Sequence, residues 1–182
     1  MSTKDVYAVG VTCNYGMTIA MIKNDYTLYH LGDHIYCCAR ILARNIIGGI
    51  KDQLADQYLN QNQNIPVKKA QQLLWQKYPD IATDPFLLAA QEDNRQYLYA
   101  PQLDGSASNN NHIAVCGRGT AIAKTMNWLV DNWDKDQNLK KSEQMARVAL
   151  KNWDTFHNRT MDVIVLYKRK EDAPMDIDDP NE

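Results

Sequence analysis

The spacing of apolar residues changes four times along this chain of 182 residues. Short β-branched and aromatic runs between turns indicate strands, whereas apolar residues three or four positions apart indicate helices. The resulting order is four strands, two helices, three strands, two helices and one strand. Because every sheet and every helix must bury an apolar face, this order is best satisfied by two stacked antiparallel sheets with a helix pair on each outer face. The sequence therefore predicts an α+β fold, a four-layer αββα sandwich.

The first strand block is predicted to be an antiparallel meander, because its strands are separated by short turns that contain glycine, asparagine or aspartate. Its four strands cover residues 6–13, 17–22, 26–31 and 35–39. The later strands cover residues 86–91, 96–100, 113–116 and 161–167. The loose alternation of apolar residues in the first block indicates a sheet that is covered on both sides or on most of one.

Four helices are predicted from apolar residues that recur at helical spacing. They cover residues 40–60, 66–78, 120–133 and 139–153. The side chains expected to pack inward are Ile41, Leu42, Ile46, Ile50, Leu54 and Tyr58 in the first helix, Ile122, Met126, Leu129, Val130 and Trp133 in the third, and Met145, Val148, Ala149 and Trp153 in the fourth. Gly48 and Gly49 each cost the first helix about 1 kcal/mol relative to alanine. We therefore expect a close helix approach at this pair.

The junction between the seventh strand and the third helix contains Gly117-Arg118-Gly119. Two glycines at a strand-to-helix turn indicate that the backbone passes close to another part of the molecule. The helix that follows has unpaired N–H groups at its start, so anion binding is a second interpretation. The Lys-Ser/Thr pair of a phosphate-binding P-loop does not follow these glycines, which favours the structural interpretation.

Composition excludes several classes of function. A net charge of −2 and a pI near 6.1 give no electrostatic basis for nucleic-acid binding. No apolar run reaches the roughly 18 residues that a membrane helix needs, and the first six residues do not resemble a signal peptide. All four cysteines (Cys13, Cys37, Cys38 and Cys116) lie inside apolar runs, which is typical of a reducing compartment. These observations predict a soluble intracellular protein without a membrane partner.

The chain is expected to form one domain over residues 1–170, followed by an acidic segment over residues 171–182. This segment has six acidic residues, two prolines and no basic residue. Such a composition cannot bury enough apolar surface to offset the entropy of ordering. We therefore expect the acidic segment to be disordered.

Four stretches of the chain follow one another in an order and spacing that is known from one family. They are the strand–turn–strand 6–20, the run His34–Ala39 before a long helix, the segment 96–106 with Leu103-Asp104-Gly105-Ser106, and the junction Cys116–Ala121. With these stretches the chain resembles a β-type proteasome subunit, a member of the N-terminal nucleophile hydrolases, over nearly its whole length. The resemblance implies the αββα sandwich, a cytoplasmic location (also nuclear in a eukaryote), no cofactor, and assembly with other proteasome-like subunits or copies of itself.

The resemblance also implies a threonine-type endopeptidase site, but this chain departs from the family at the catalytic positions. In the family, the hydroxyl of an N-terminal threonine attacks the peptide carbonyl, and its own α-amino group serves as the base. A lysine lowers the pKa of the nucleophile, and an aspartate orients that lysine. The matching positions here are Val6 for the threonine, Ile22 for the aspartate and Thr27 for the lysine.

The supporting positions of that site are also altered. Arg118 stands in place of a serine, Thr120 opens the helix that follows, and Asp154 is the one acid that can be matched, loosely, near a family site residue. A nucleophile could still come from Ser2 or Thr3 after removal of the initiator methionine. Because Ser2 lies four residues upstream of Val6, its use would require the strand to slip by an even number of residues, which keeps the side-chain faces.

Cysteine and histidine residues allow two further interpretations. His34, Cys37 and Cys38 could form part of a metal site, but adjacent strand residues point to opposite faces, so we favour core packing and expect no metal. Cys116 with His112 or His34 could form a nucleophilic pair, but a cysteine inside an apolar run is expected to be inert.

Three functional hypotheses follow. The first is a structural proteasome-β-like subunit without its own peptidase chemistry, in a ring or barrel complex linked to protein degradation. The second is a divergent N-terminal nucleophile peptidase or amidohydrolase that uses Ser2 or Thr3. The third is a free-standing αββα module that binds a peptide or small ligand in the former cleft around Val6, Thr27 and Arg118, where the arginine would present a cation.

Overall fold

The computed structural model describes residues 5–78, 84–102, 107, 109–110, 112–152 and 160–168. The strands within these residues are β1 (Asp5–Cys13), β2 (Gly16–Ile22), β3 (Tyr26–Gly32), β4 (Ile35–Arg40), β5 (Leu87–Glu92), β6 (Arg95–Tyr99), β7 (Ile113–Arg118) and β8 (Met161–Tyr167). The α-helices are α1 (Arg44–Gln57), α2 (Val67–Lys77), α3 (Thr120–Asn132) and α4 (Leu139–Asn152). Short 3-10 helices over Ile41–Ala43 and Leu59–Gln61 flank α1.

The strands form two antiparallel sheets, and the predicted αββα sandwich is confirmed. In the described residues, the first sheet has the order β7-β1-β2-β8 and the second has the order β3-β4-β5-β6. Helices α3 and α4 pack on the first sheet, whereas α1 and α2 pack on the second. One apolar core lies between the sheets and beneath α3 and α4, and another lies between the second sheet and helices α1 and α2.

The predicted meander is wrong, because the first four strands divide between the two sheets. The backbone N–H of Lys23 donates to the carbonyl of Thr160 (2.9 Å), which extends the pairing of β2 with β8. Two residues later, the carbonyl of Asp25 accepts from the N–H of Ile41 at the end of β4 (2.9 Å). The chain thus changes sheets within three residues, because β8 occupies the edge of β2 that a meander would give to β3.

Some predicted inward faces are also wrong. Leu42 is 90% exposed because α1 begins only at Arg44, so the helical period does not extend back to it. Val130 is 51% exposed on α3, since the buried position is its neighbour Leu129. Val148 is likewise exposed on α4, next to buried Ala149. Trp153 and the acidic segment 171–182 lie outside the described residues.

The interpretation of Gly48 and Gly49 is wrong, whereas that of Gly117 is confirmed. A Cβ atom added at Gly48 or Gly49 would meet no described atom within 4 Å, so no helix approaches α1 closely there. A Cβ at Gly117 would contact the backbone carbonyl oxygen of Asp5 and lie 3.0 Å from the Cα of Val6. The backbones of β1 and β7 therefore require glycine at this position.

The two glycine sites predict opposite effects of the same substitution. Gly117→Ala should lower the free energy of unfolding by about 1–3 kcal/mol, because the methyl group overlaps backbone atoms that cannot rotate away. Gly48→Ala should raise it by about 0.5–1 kcal/mol, because the site is open and alanine restricts the unfolded chain. Urea unfolding of the isolated chain measures both values. Equal destabilisation by the two substitutions would contradict the close approach at Gly117.

Candidate functional site

The position that matches the family's threonine lies at the start of β1, against the junction between β7 and α3. In the pairing of these strands, Asp5 is opposite Arg118 and Val6 is opposite Gly117. Val6 is fully buried, and its backbone N–H donates to its neighbour's carboxylate, Asp5 Oδ1 (2.9 Å). A buried isopropyl group therefore lies at the position that the resemblance assigns to the threonine.

The other matched positions are spread over both sheets. Ile22 is buried at the end of β2, where it pairs with Met161 of β8. Thr27 lies on β3 opposite Ala39, in the second sheet. Thr120 is exposed at the start of α3. The structure thus brings Val6 together with Gly117 and Arg118, whereas Ser2, Thr3 and Asp154 lie outside the described residues.

Beside Val6, two tyrosines join the sheets. Tyr7 of β1 and Tyr26 of β3 are stacked, with ring centroids 5.3 Å apart and an angle of 9° between the planes. Both rings are buried. The hydroxyl of Tyr26 donates to the carbonyl of Pro85 (2.8 Å), so its polar end is satisfied. Burial, followed by the proximity of the Cys116 thiol, raises the pKa of Tyr26 well above its usual value, and the phenol stays neutral.

Two guanidinium groups lie over this aromatic pair. The Cζ atom of Arg40 is 5.4 Å from the centroid of Tyr7 and 5.7 Å from that of Tyr26. The Cζ atom of Arg118 is 5.6 Å from the centroid of Tyr7, and its Nε donates to the Tyr7 hydroxyl (2.8 Å). Cations at this distance are attracted to the electron-rich face of an aromatic ring. The four side chains form what we call the Tyr-Arg cluster (Tyr7, Tyr26, Arg40 and Arg118).

Arg40 also carries two ion pairs. Its Nη1 lies 2.8 Å from Oδ1 of Asp25, and its Nε lies 2.6 Å from Oδ1 of Asp84. Asp25 lies in the connection where the chain changes sheets, and Asp84 precedes β5. The guanidinium therefore holds the connection between β2 and β3 and the start of β5 against the end of β4.

Sequence reasoning found Arg118 but missed Tyr7, Tyr26 and Arg40. Their side chains come from three strands. A resemblance in sequence assigns residues to positions, but it does not indicate which side chains contact one another. One signal was available in the sequence. An arginine that ends an apolar strand and precedes a helix is partly buried, and such a cation needs carboxylate partners.

Cys116 does not form the considered nucleophilic pair with His112. The histidine precedes β7 and stacks on Trp133, with ring centroids 3.9 Å apart. Cys116 lies four residues further along the strand, a spacing of about 13 Å. It is buried beside Tyr26, and burial raises the pKa of its thiol far above the usual value. A group in this state is a neutral core side chain.

The neighbouring cysteines pack on opposite sides of the second sheet, as predicted. Cys37 belongs to the core beneath α1 and α2, whereas Cys38 belongs to the core between the sheets. Across the described residues, no three histidine, cysteine, aspartate or glutamate side chains are grouped so that they could hold a metal ion. In the same part of the chain, no helix has the length and apolar character needed to cross a membrane.

Comparison with known proteins identifies one family. The family model described as "Proteasome subunit" matches residues 1–167 of this chain. The match extends from the first residue to the last residue of β8, so it also covers β8, which lies beyond the stretches that carry the resemblance in the sequence. No curated protein matches the chain.

Arg40 provides a test of the cluster. Arg40→Met should lower the free energy of unfolding by about 1–2 kcal/mol, since it leaves Asp25 and Asp84 without their cation while both carboxylates are more than a third exposed to screening water. The matched control is Arg147→Met, which breaks an exposed helical pair with Glu143 and should cost no more than about 0.5 kcal/mol. Similar losses in urea unfolding would show that Arg40 has no special structural role.

The cysteines provide a second test. Burial raises the pKa of Cys37, Cys38 and Cys116 above the usual thiol value, so little thiolate is present at neutral pH. We expect iodoacetamide to alkylate these thiols in the folded chain at least about tenfold more slowly than in the unfolded chain. Peptide mapping of partly alkylated protein measures each site. Faster alkylation of Cys116 in the folded state than in the unfolded state would indicate an activated nucleophile.

Proposed function

Because the chain belongs to the proteasome subunit family, we propose that it is a structural subunit, without peptidase chemistry of its own, in a ring or barrel complex that degrades proteins. Members of the family assemble into oligomeric complexes. The observation that carries the proposal is buried Val6 beside the Tyr-Arg cluster. These side chains lie where the resemblance puts the family's nucleophile.

The chemistry of these side chains supports this role. Valine has no group that can attack a carbonyl, and neither isoleucine at position 22 nor threonine at position 27 supplies the charge that lowers the pKa of a nucleophile. Arg118 is a cation, but its Nε is used by the Tyr7 hydroxyl and its guanidinium lies over the Tyr7 ring. An arginine held in this way contributes to packing, which also weighs against the ligand-binding role considered for Arg118.

Exposed apolar side chains support assembly with other subunits. Leu42 lies before α1, Val130 lies on α3, and Tyr167 ends β8, so apolar surface is exposed on both helix layers and at a sheet edge. Exposed apolar groups lose contact with water when a subunit covers them, so these side chains are candidate interface positions. The proposed partners are other proteasome-like subunits or copies of this chain. The proposed location is the cytoplasm, and also the nucleus in a eukaryote.

The native mass of the assembly tests the structural role. Size-exclusion chromatography with multi-angle light scattering, on the protein isolated with its bound partners, should give a particle many times the 20.8 kDa of one chain. Leu42→Glu or Val130→Glu should reduce the assembled fraction, because a charge replaces exposed apolar surface. The control is Lys140→Glu, which changes an already exposed cation at the start of α4. A strict monomer without partners would contradict the proposal.

A chemical probe tests the competing enzyme hypothesis. A β-lactone or epoxyketone that modifies N-terminal nucleophiles should leave the intact mass of this chain unchanged. A covalent adduct on Ser2 or Thr3, absent in the Ser2→Ala or Thr3→Ala variant, would instead support the divergent hydrolase. The amount of processed N-terminus is read from the same mass spectrum, so that lack of an adduct can be compared with the fraction of chains that expose Ser2.

A further inference from the structure

A groove of about 620 Å³ lies at the end of β1 that is opposite to the Tyr-Arg cluster. One wall is the stacked pair of His112 and Trp133, whose rings are 3.9 Å apart and within 11° of parallel. The indole N–H of Trp133 donates to the backbone carbonyl of Thr12 (2.9 Å), which fixes this wall to β1. The groove is therefore a preformed surface with an aromatic side.

The charged side chains that line the groove are all cations. They are Arg95 at the start of β6, Lys135 after α3 and Lys168 after β8. None of the three forms an ion pair with any described residue. Asp134 and Asp136 flank Lys135 along the chain, but neither lines the groove. Three cations around one cavity, none of them paired with a described residue, favour an anionic occupant.

Gln96 is held in the wall of the groove, and the cations around it determine what the groove can bind. Its Nε2 donates to the carbonyl of Cys13 (2.8 Å), whereas its Oε1 is buried and accepts no hydrogen bond from a described residue. A peptide with several carboxylates can place one beside each of the three cations. The groove chemistry therefore fits an acidic peptide.

The chain itself contains such a peptide, which begins three residues after the groove residue Lys168. Residues 171–182 have six acidic side chains and no basic one. The backbone N–H of Lys168 donates to the carbonyl of Tyr15 (2.9 Å), which holds the chain at the β1–β2 turn beside the groove. Glu171 follows three residues later, within about 10 Å of chain length. A tether this short gives an effective concentration on the order of millimolar.

We propose that residues 171–182 bind in this groove of their own chain, with their carboxylates beside Arg95, Lys135 and Lys168. The groove is then an acidic-peptide site that its own segment occupies. An acidic segment of another protein would have to displace it. The proposal does not depend on whether the chain has peptidase activity.

The test uses the full chain with its six acidic residues neutralised, Glu171→Gln, Asp172→Asn, Asp176→Asn, Asp178→Asn, Asp179→Asn and Glu182→Gln. A fluorescein-labelled peptide of residues 171–182 is added, and its anisotropy is followed at low ionic strength. We expect the peptide to bind the neutralised chain at least about tenfold more tightly than the unmodified chain, whose groove is already occupied. High salt should weaken binding to both chains, because the contacts are exposed charge pairs.

Matched single substitutions in the neutralised chain locate the site. Lys135→Gln and Arg95→Gln should each weaken peptide binding by about fivefold, the effect of losing one charged contact. The control is Lys140→Gln, an exposed cation outside the groove, which should leave binding unchanged. Circular dichroism of every variant checks that the fold is retained.

Three outcomes would overturn the proposal. The first is equal peptide affinity for the neutralised and the unmodified chain, which would mean that the segment does not occupy the groove. The second is an equal loss on Lys140→Gln and Lys135→Gln, which would mean that binding follows total charge. The third is binding of the segment of one copy in the groove of another copy. Light scattering would then show that the unmodified chain associates and that the neutralised chain does not.

Discussion

The Arg40 guanidinium joins the two sheets at the point where the chain crosses from one to the other. It stands where β4 ends and the first helix layer is about to begin, and it contacts groups from both sheets. Removing a cation from water costs free energy. Two carboxylates and two aromatic faces offset this cost for Arg40. Its partner Asp25 lies in the three-residue connection between the sheets. The same contacts that satisfy one charge therefore fix the point at which the chain leaves one sheet for the other.

Local sequence patterns predicted the elements better than their pairing. The alternation of apolar residues located β1 and β8 to within a residue, and the layer architecture followed from the order of elements. The meander was wrong because a turn such as Lys23-Asn24-Asp25 is compatible both with a hairpin and with a crossover. What decides between them is β8, more than a hundred residues later, which competes for the edge of β2. A local sequence pattern cannot predict which of two distant strands pairs with β2.

In the candidate site, too, the sequence predicted the positions of residues but not the contacts between their side chains. The resemblance assigned Val6, Ile22 and Thr27 to the family's catalytic positions, and the structure pairs Val6 with Gly117. It could not indicate what fills the space beside them, because stacking of Tyr7 on Tyr26 depends on side-chain directions in two sheets. Leu42 and Val130 were placed in the core for a related reason. Hydrophobicity alone does not distinguish a core position from one that is exposed on a helix.

The Gly-Arg-Gly junction now has an explanation that does not need catalysis. Gly117 is required because the backbone of β1 passes within contact distance, and this holds whichever side chain occupies position 6. In a catalytic relative, the same approach would bring the junction beside the nucleophile, so the glycine would serve both packing and chemistry. In this chain the packing requirement holds with valine at position 6. A glycine at this junction is therefore evidence for the fold, whereas evidence for chemistry must come from the groups at positions 6, 22 and 27.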